Sequence, residues 1–235
     1  MDFEGMTGQW AGDGRPIADM AVIEAELVSR TPGLARLVEH HGPCTFRSRR
    51  AAVADHFEAL AAAIVHQQLA GRAAAAIWAR VRALVPGGFV AQHLVALEPA
   101  ALRSAGLSAA KAAAVADLAQ RVADGSLDLA QVAGLDDEDV VARLSQVRGI
   151  GRWTAQMFLI FSLGRLDVWP TGDLGVRRGY GVIHGLAETP GPVALETMGD
   201  IARPWRSVLA WYCWRALEGV PLDRVGGLPD LPTGR

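Results

Sequence analysis

Among the 23 lysines and arginines of this 235-residue chain, a single residue, Lys111, is lysine. Covalent chemistry through a lysine amine therefore has one candidate in the whole sequence. Cysteine is nearly as scarce. Cys44 and Cys213 are too few for a structural zinc or an iron–sulfur cluster, and they suit the reduced thiols of a cytosolic protein. No cationic excess exists either: the formal net charge is -2, which excludes a polybasic nucleic-acid protein. No apolar run reaches membrane-spanning length and no secretory signal is visible, so the expected location is cytoplasmic. Alternating strand patterns are missing, as is any repeat. The glycine-rich pieces follow no strand, which removes dinucleotide-binding loops. What remains is a globular composition, 51% hydrophobic and 20% charged.

The period that does recur is helical. Residues 1–20 are glycine-rich and aperiodic, a loose tail. Residues 21–41 predict a helix ending near Arg30, a turn at Thr31-Pro32-Gly33 and a short second helix. Pro43 to Arg50 is a basic connector. Residues 51–70 form an alanine-rich helix with Val53, Phe57, Leu60 and Ile64 as its buried stripe. The polar tetrad His66-Gln67-Gln68-Leu69 interrupts it, and a helix over Arg72–Leu84 follows. Ser108 is the expected N-cap of a helix holding Val115, Leu118 and Val122. Lys111 lies on that helix and reads as solvated. The expected fold is all-α: one domain over 21–225, with two helical subdomains flanking a cleft. One subdomain is 51–165; the other combines 21–50 with 166–225. A tail over 226–235 closes the chain.

The stretch Asp136–Gly179 is the most informative. Asp136, Asp137, Glu138 and Asp139 place negative charge on a first helical turn, and Val140, Val141, Leu144 and Val147 form its apolar face. Gly149 and Gly151 stop the helix, and a second one over Arg152–Leu163 begins at once. Such a turn exposes unpaired backbone N–H groups at a helix N-terminus, where phosphate binds well. Residues 148–178 carry Arg148, Arg152, Arg165, Arg177 and Arg178 against Asp167 and Asp173, a local balance of +3. Asp173 opens a third helix 20 residues beyond Trp153. Its carboxylate either caps that helix or does chemistry; Asp167 and Asp200 read as solvated. Near the C-terminus, Arg203-Pro204-Trp205-Arg206-Ser207 leads into a helix with Trp211 and Trp214, Pro204 fitting its first turn.

Two of these segments resemble the helix-hairpin-helix DNA glycosylases of the alkylated-base (3-methyladenine) branch, over roughly residues 50–218. Val147-Arg148-Gly149-Ile150-Gly151-Arg152-Trp153-Thr154-Ala155 matches the hairpin, and Trp169-Pro170-Thr171-Gly172-Asp173-Leu174-Gly175 the catalytic loop. Arg148 departs from the pattern, standing where many members carry proline. The resemblance implies excision of alkylated purines (3-methyladenine, 7-methylguanine) from double-stranded DNA by a monomer, after base flipping. Asp173 is the implied catalytic carboxylate. The base pocket would be formed by Trp153, Trp214, Met157 and Leu174; Trp205 and Trp211 read as core. DNA contacts fall on Gly149, Ile150, Gly151, Arg152, Thr154, Gln67, Gln68 and Leu69, with Gln68 or Leu69 plugging the gap left by the extruded base. Lyase activity is not expected, because Trp153 holds the position of the lysine in bifunctional relatives. No cofactor is implied beyond a structural monovalent cation on the carbonyls of Ser145, Val147 and Ile150. Hypoxanthine or ethenoadenine excision, and a non-catalytic DNA-binding module, remain as alternatives.

Overall fold

The computed structural model describes residues 19–46, 56–69, 71–98 and 100–218. All regular structure among them is helical, and no described helix is long and apolar enough to cross a membrane. The expected loose tails and most of the basic connector, with Val53, lie outside the described residues.

Helix α1 (Met20–Arg30) starts at Asp19, whose carboxylate accepts the Ala21 N–H at 3.2 Å. A 3-10 turn, Pro32–Leu34, leads into α2 (Ala35–His41). Helix α3 (His56–His66) buries Phe57, Leu60 and Ile64, three residues of the expected stripe. Then come α4 (Gly71–Ala83), α5 (Ala91–Val95), α6 (Ala101–Ser104) and α7 (Ala109–Ala123). The Ser108 hydroxyl caps α7 through the Lys111 N–H. Helix α8 (Leu129–Ala133) precedes α9 (Asp137–Leu144), whose first turn holds Asp137, Glu138 and Asp139. Asp136 occupies its N-cap position without a side-chain bond.

Beyond the hairpin, α10 runs over Arg152–Met157 only. The single helix expected to Leu163 instead changes pitch into a π-helical turn, Phe158–Ser162, which keeps Phe158, Leu159 and Ile160 all buried. Helices α11 (Leu174–His184), α12 (Pro192–Met198), a 3-10 turn (Gly199–Ala202) and α13 (Arg206–Arg215) complete the fold. Pro204 stands before α13 rather than in its first turn, because Trp205, at φ -115° and ψ 26°, is the non-helical N-cap.

Helices α3, α4, α5 and α7 pack on one another, and α11, α13 and α2 on one another, within one hydrophobic core. Helix α13 is buried along its whole length, including Arg206 and Arg215. It presses against α11 at Gly179, where a Cβ atom would lie 1.9 Å from the Cys213 carbonyl oxygen. Only glycine permits this approach, and it is what brings Trp214 beside the start of α11. From the other end of the chain, the buried Glu24 accepts the Cys44 N–H and the Tyr212 hydroxyl, each at 2.7 Å. That pair anchors α1 on α13.

Candidate active site and DNA-contacting surface

Asp173 is the N-cap of α11 and is 7% exposed. Its Oδ1 accepts the Val176 N–H at 2.8 Å and the Trp214 Nε1–H at 3.2 Å; its Oδ2 accepts the Trp153 Nε1–H at 2.6 Å. The capping bond is therefore made through Oδ1, while Oδ2 meets only the Trp153 indole. The Oδ1 lone pairs are engaged by a backbone and an indole donor. Oδ2 keeps one lone pair beyond the bond to Trp153, enough to face a developing cation or accept a proton from water. The neutral donors fix the carboxylate without cancelling its charge.

The loop before Asp173 is held just as firmly. Trp169 donates to the Leu195 carbonyl at 2.8 Å and presses on Gly199, where a Cβ would come within 2.2 Å of its ring nitrogen. Asp167, expected to be solvated, is half-buried and takes Arg206 through both oxygens, at 2.7 and 3.0 Å, with Arg203 at 3.1 Å. Burial of Arg206 within α13 requires that partner. Asp200 is exposed and pairs with Arg203 at 2.8 Å.

The expected base-pocket tryptophans meet Asp173 through their indole edges. Trp214 is 4% exposed, with Phe161 at 5.7 Å between ring centroids, so in this state its ring belongs to the core. Trp153, Met157 and Leu174 are half-buried, Trp153 bonded to Asp173 and Leu174 next to it in the chain. Of the two tryptophans read as core, Trp211 is buried, while Trp205 is half-buried and donates to Glu26 at 2.8 Å. Cys213 lies below the site. Burial, with the Asp173 charge adding to it, pushes its thiol well up, so it is an inert neutral group.

The hairpin turn between α9 and α10 is closed by the Ile150 N–H on the Val147 carbonyl at 3.1 Å. Gly149 sits at φ +77°, and Gly151, exposed and extended, is the N-cap of α10. Ile150 is 3% exposed, so its side chain anchors the turn in the core and offers only backbone outward. Arg152 is exposed but forms a two-bond ion pair with Glu138, at 2.8 and 2.6 Å. Thr154 does not face outward as expected. It is 4% exposed, and its hydroxyl accepts the Gln67 amide N–H at 3.0 Å. Gln67 also donates to the Gly149 carbonyl at 2.9 Å. These two expected DNA contacts are thus an internal clamp between the polar turn after α3 and the hairpin. The same turn exposes Gln68 at φ 54° and leaves Leu69 half-buried.

The basic face is smaller than the arginine count implied. Arg165 is spent on the Ala133 and Leu135 carbonyls, at 3.0 and 2.9 Å, and Arg177 on that of Pro190 at 2.7 Å. Lys111 is not solvated either. Its ammonium donates to the carbonyls of Val65 and Gln67, at 2.7 and 2.5 Å. Composition flagged Lys111 as unique but held no sign of its partners, which lie in the last turn of α3 and in the polar turn after it. Asp117 was passed over entirely; its carboxylate accepts the Arg148 N–H at 2.8 Å and anchors the hairpin. Among the described residues no cluster of His, Cys, Asp or Glu is placed to hold a metal ion.

Residues 61–206 match the family model "HhH-GPD superfamily base excision DNA repair protein". DNA-3-methyladenine glycosylase 1 of Schizosaccharomyces pombe is 33% identical over 77% of this chain and 79% of its own length. The solved structure of the Schizosaccharomyces pombe 3-methyladenine DNA glycosylase in complex with abasic DNA superposes with a TM-score of 0.72 at 32% identity, over 83% of this chain and 95% of that one. A Bacillus halodurans DNA-3-methyladenine glycosidase gives 0.70 at 33% identity, over 84% and 89%.

Proposed function

The chain belongs to the HhH-GPD superfamily of base excision DNA repair proteins, and from that premise we propose that it is a DNA N-glycosylase excising alkylated purines such as 3-methyladenine and 7-methylguanine. The observation that carries the reading is the Asp173 carboxylate, buried, held by two indoles and a backbone N–H, and placed 20 residues beyond the hairpin tryptophan. Breaking the N-glycosidic bond builds positive charge on the sugar. A carboxylate already fixed beside that carbon stabilises the charge without reorganising, and Oδ2 can position the attacking water. An alkylated purine carries formal positive charge and leaves without a general acid. Against the accessible ring of Trp153, such a cation gains about 0.5–2 kcal/mol.

The remaining parts hold the DNA. Backbone N–H groups around Gly149–Gly151 take a phosphate at the N-terminus of α10, independent of sequence. The carbonyls of Ser145, Val147 and Ile150 are neutral oxygens of the type that would hold a monovalent cation, which would supply positive charge at the hairpin. Gln68, exposed in its turn, plugs the stack once the base is flipped, while Leu69 is half-buried. The nucleophile is water, so the product is an intact abasic strand.

Mass spectrometry of the bases released from methylated and deaminated DNA tests the reading. The wild type is expected to release 3-methyladenine and 7-methylguanine. Asp173→Asn is expected to lose at least about 100-fold in release rate while still binding an abasic analogue. Near-wild-type release by the variant removes Asp173 from the chemistry, and no release by the wild type leaves a DNA-binding module.

A further inference from the structure

Helix α7 touches both DNA-contacting elements from behind. Lys111, Ala114 and Asp117 recur at i, i+3 and i+6 on one of its faces. Lys111 Nζ donates to the carbonyls of Val65 and Gln67. Val65 lies in the last turn of α3, where carbonyls lack intrahelical partners and a cation is favoured. Ala114 packs under the hairpin: a Cβ on Gly149 would be 2.9 Å from the Cβ of Ala114. Asp117 takes the Arg148 N–H at 2.8 Å.

The bond to Gln67 matters most. One residue later the chain turns into positive φ at Gln68, a conformation that glutamine adopts only where its surroundings impose it. Gln67 is held from both sides: its carbonyl by Lys111, its side-chain amide by the Gly149 carbonyl and the Thr154 hydroxyl. The backbone that presents Gln68 is thereby locked in register with the hairpin. Lys111 is half-buried, and burial lowers its pKa, as expected of an ammonium working inside the fold rather than on DNA.

We infer that Lys111 is a positioning residue for base extrusion: through the carbonyls of Val65 and Gln67 it sets the turn carrying Gln68 relative to the hairpin, without touching DNA. The inference rests on the proposed plug role of Gln68, but its test does not depend on glycosylase chemistry. A duplex carrying a tetrahydrofuran abasic analogue opposite 2-aminopurine reports insertion at the gap, as a rise in fluorescence. Wild type, Lys111→Met and Lys111→Arg are compared for this rise, for affinity by anisotropy, and for melting temperature. Lys111→Met is expected to lose most of the rise while its affinity changes by less than about threefold, because the hairpin phosphate contacts remain. Lys111→Arg, which keeps a cation on the two carbonyls, is expected to restore it. Three outcomes overturn the inference: no rise with the wild type, a full rise with Lys111→Met, or an arginine variant as defective as the methionine one. Base release by the wild type is followed in parallel. Its absence would remove the glycosylase reading and leave this one standing on the fluorescence.

Discussion

The two hairpin glycines should respond in opposite ways to the same substitution. Gly149 sits at φ +77°, and an added Cβ would meet the Ala114 Cβ at 2.9 Å. Left-handed backbone costs an alanine about 1–2 kcal/mol, and the overpacking adds about 1–3, so Gly149→Ala should lose about 2–5 kcal/mol of stability. For a chain of this length that corresponds to a melting temperature lower by about 4–20 °C. Gly151 differs on both counts. Its backbone is extended, at φ -97° and ψ 176°, and an added Cβ would meet nothing within 4 Å. Losing glycine at an N-cap costs an estimated few tenths to 1 kcal/mol, offset by a similar reduction in unfolded-state entropy. Gly151→Ala should therefore melt within about 2 °C of wild type. Its methyl group, however, stands in the open space where a phosphate would approach the α10 N-terminus. Affinity for DNA should fall about tenfold or more, equally for undamaged and abasic duplexes, because phosphate contacts do not read the base. Thermal unfolding by circular dichroism and anisotropy titration at fixed salt separate the two effects. A Gly149→Ala protein with unchanged melting temperature would refute the packing argument. A Gly151→Ala protein with wild-type affinity, or with a loss confined to one lesion, would refute the phosphate assignment.

Trp214→Phe keeps a ring in the core but removes the indole donor to Asp173. A hydrogen bond to a charged group contributes about 1.5–3 kcal/mol, so release should slow about tenfold or more, alike for 7-methylguanine and neutral hypoxanthine. A loss restricted to the cationic base would return Trp214 to the pocket wall. For Trp153, whose ring keeps open surface, the opposite pattern is expected: Trp153→Leu should slow the cationic base more than hypoxanthine, as single-turnover rates would reveal. Borohydride trapping on lesion DNA should give no covalent protein–DNA band, since the only lysine is committed to the Val65 and Gln67 carbonyls. Finally, burial acts to raise the pKa of Asp117, but the Arg148 N–H and the Arg121 guanidinium outweigh it, and the carboxyl lies below its ordinary value. A depressed folded-state pKa contributes stability above the unfolded-state value and loses it as pH falls through the folded one. The melting-temperature gap between wild type and Asp117→Asn should thus be constant above about pH 5 and close below about pH 4. A gap that persists in acid would contradict the carboxylate anchor.

Local chemistry alone determined much of this protein. Helix α9 ends at Leu144, five residues before the expected stop, and the turn then passes through Gly149 at φ +77°, a conformation that glycine adopts without penalty. Asp173 caps α11 through a bond three residues long. Stripes such as Phe57, Leu60 and Ile64 face inward because helical period places them together. The tertiary structure decided what these elements meet. The indoles of Trp153 and Trp214 converge on one carboxylate from 20 and 41 residues away, and the clamp from Gln67 spans 82 and 87. No local period encodes separations of that size. Helix α13 made the limit plain: buried on every side, it has no polar face, so tryptophans spaced three apart gave no direction to either ring. Arg165, Arg177 and Lys111 erred for a related reason. A long cationic side chain looks the same in sequence whether it reaches water or a buried carbonyl, and only the packing of neighbouring helices supplies the carbonyls that Lys111 holds.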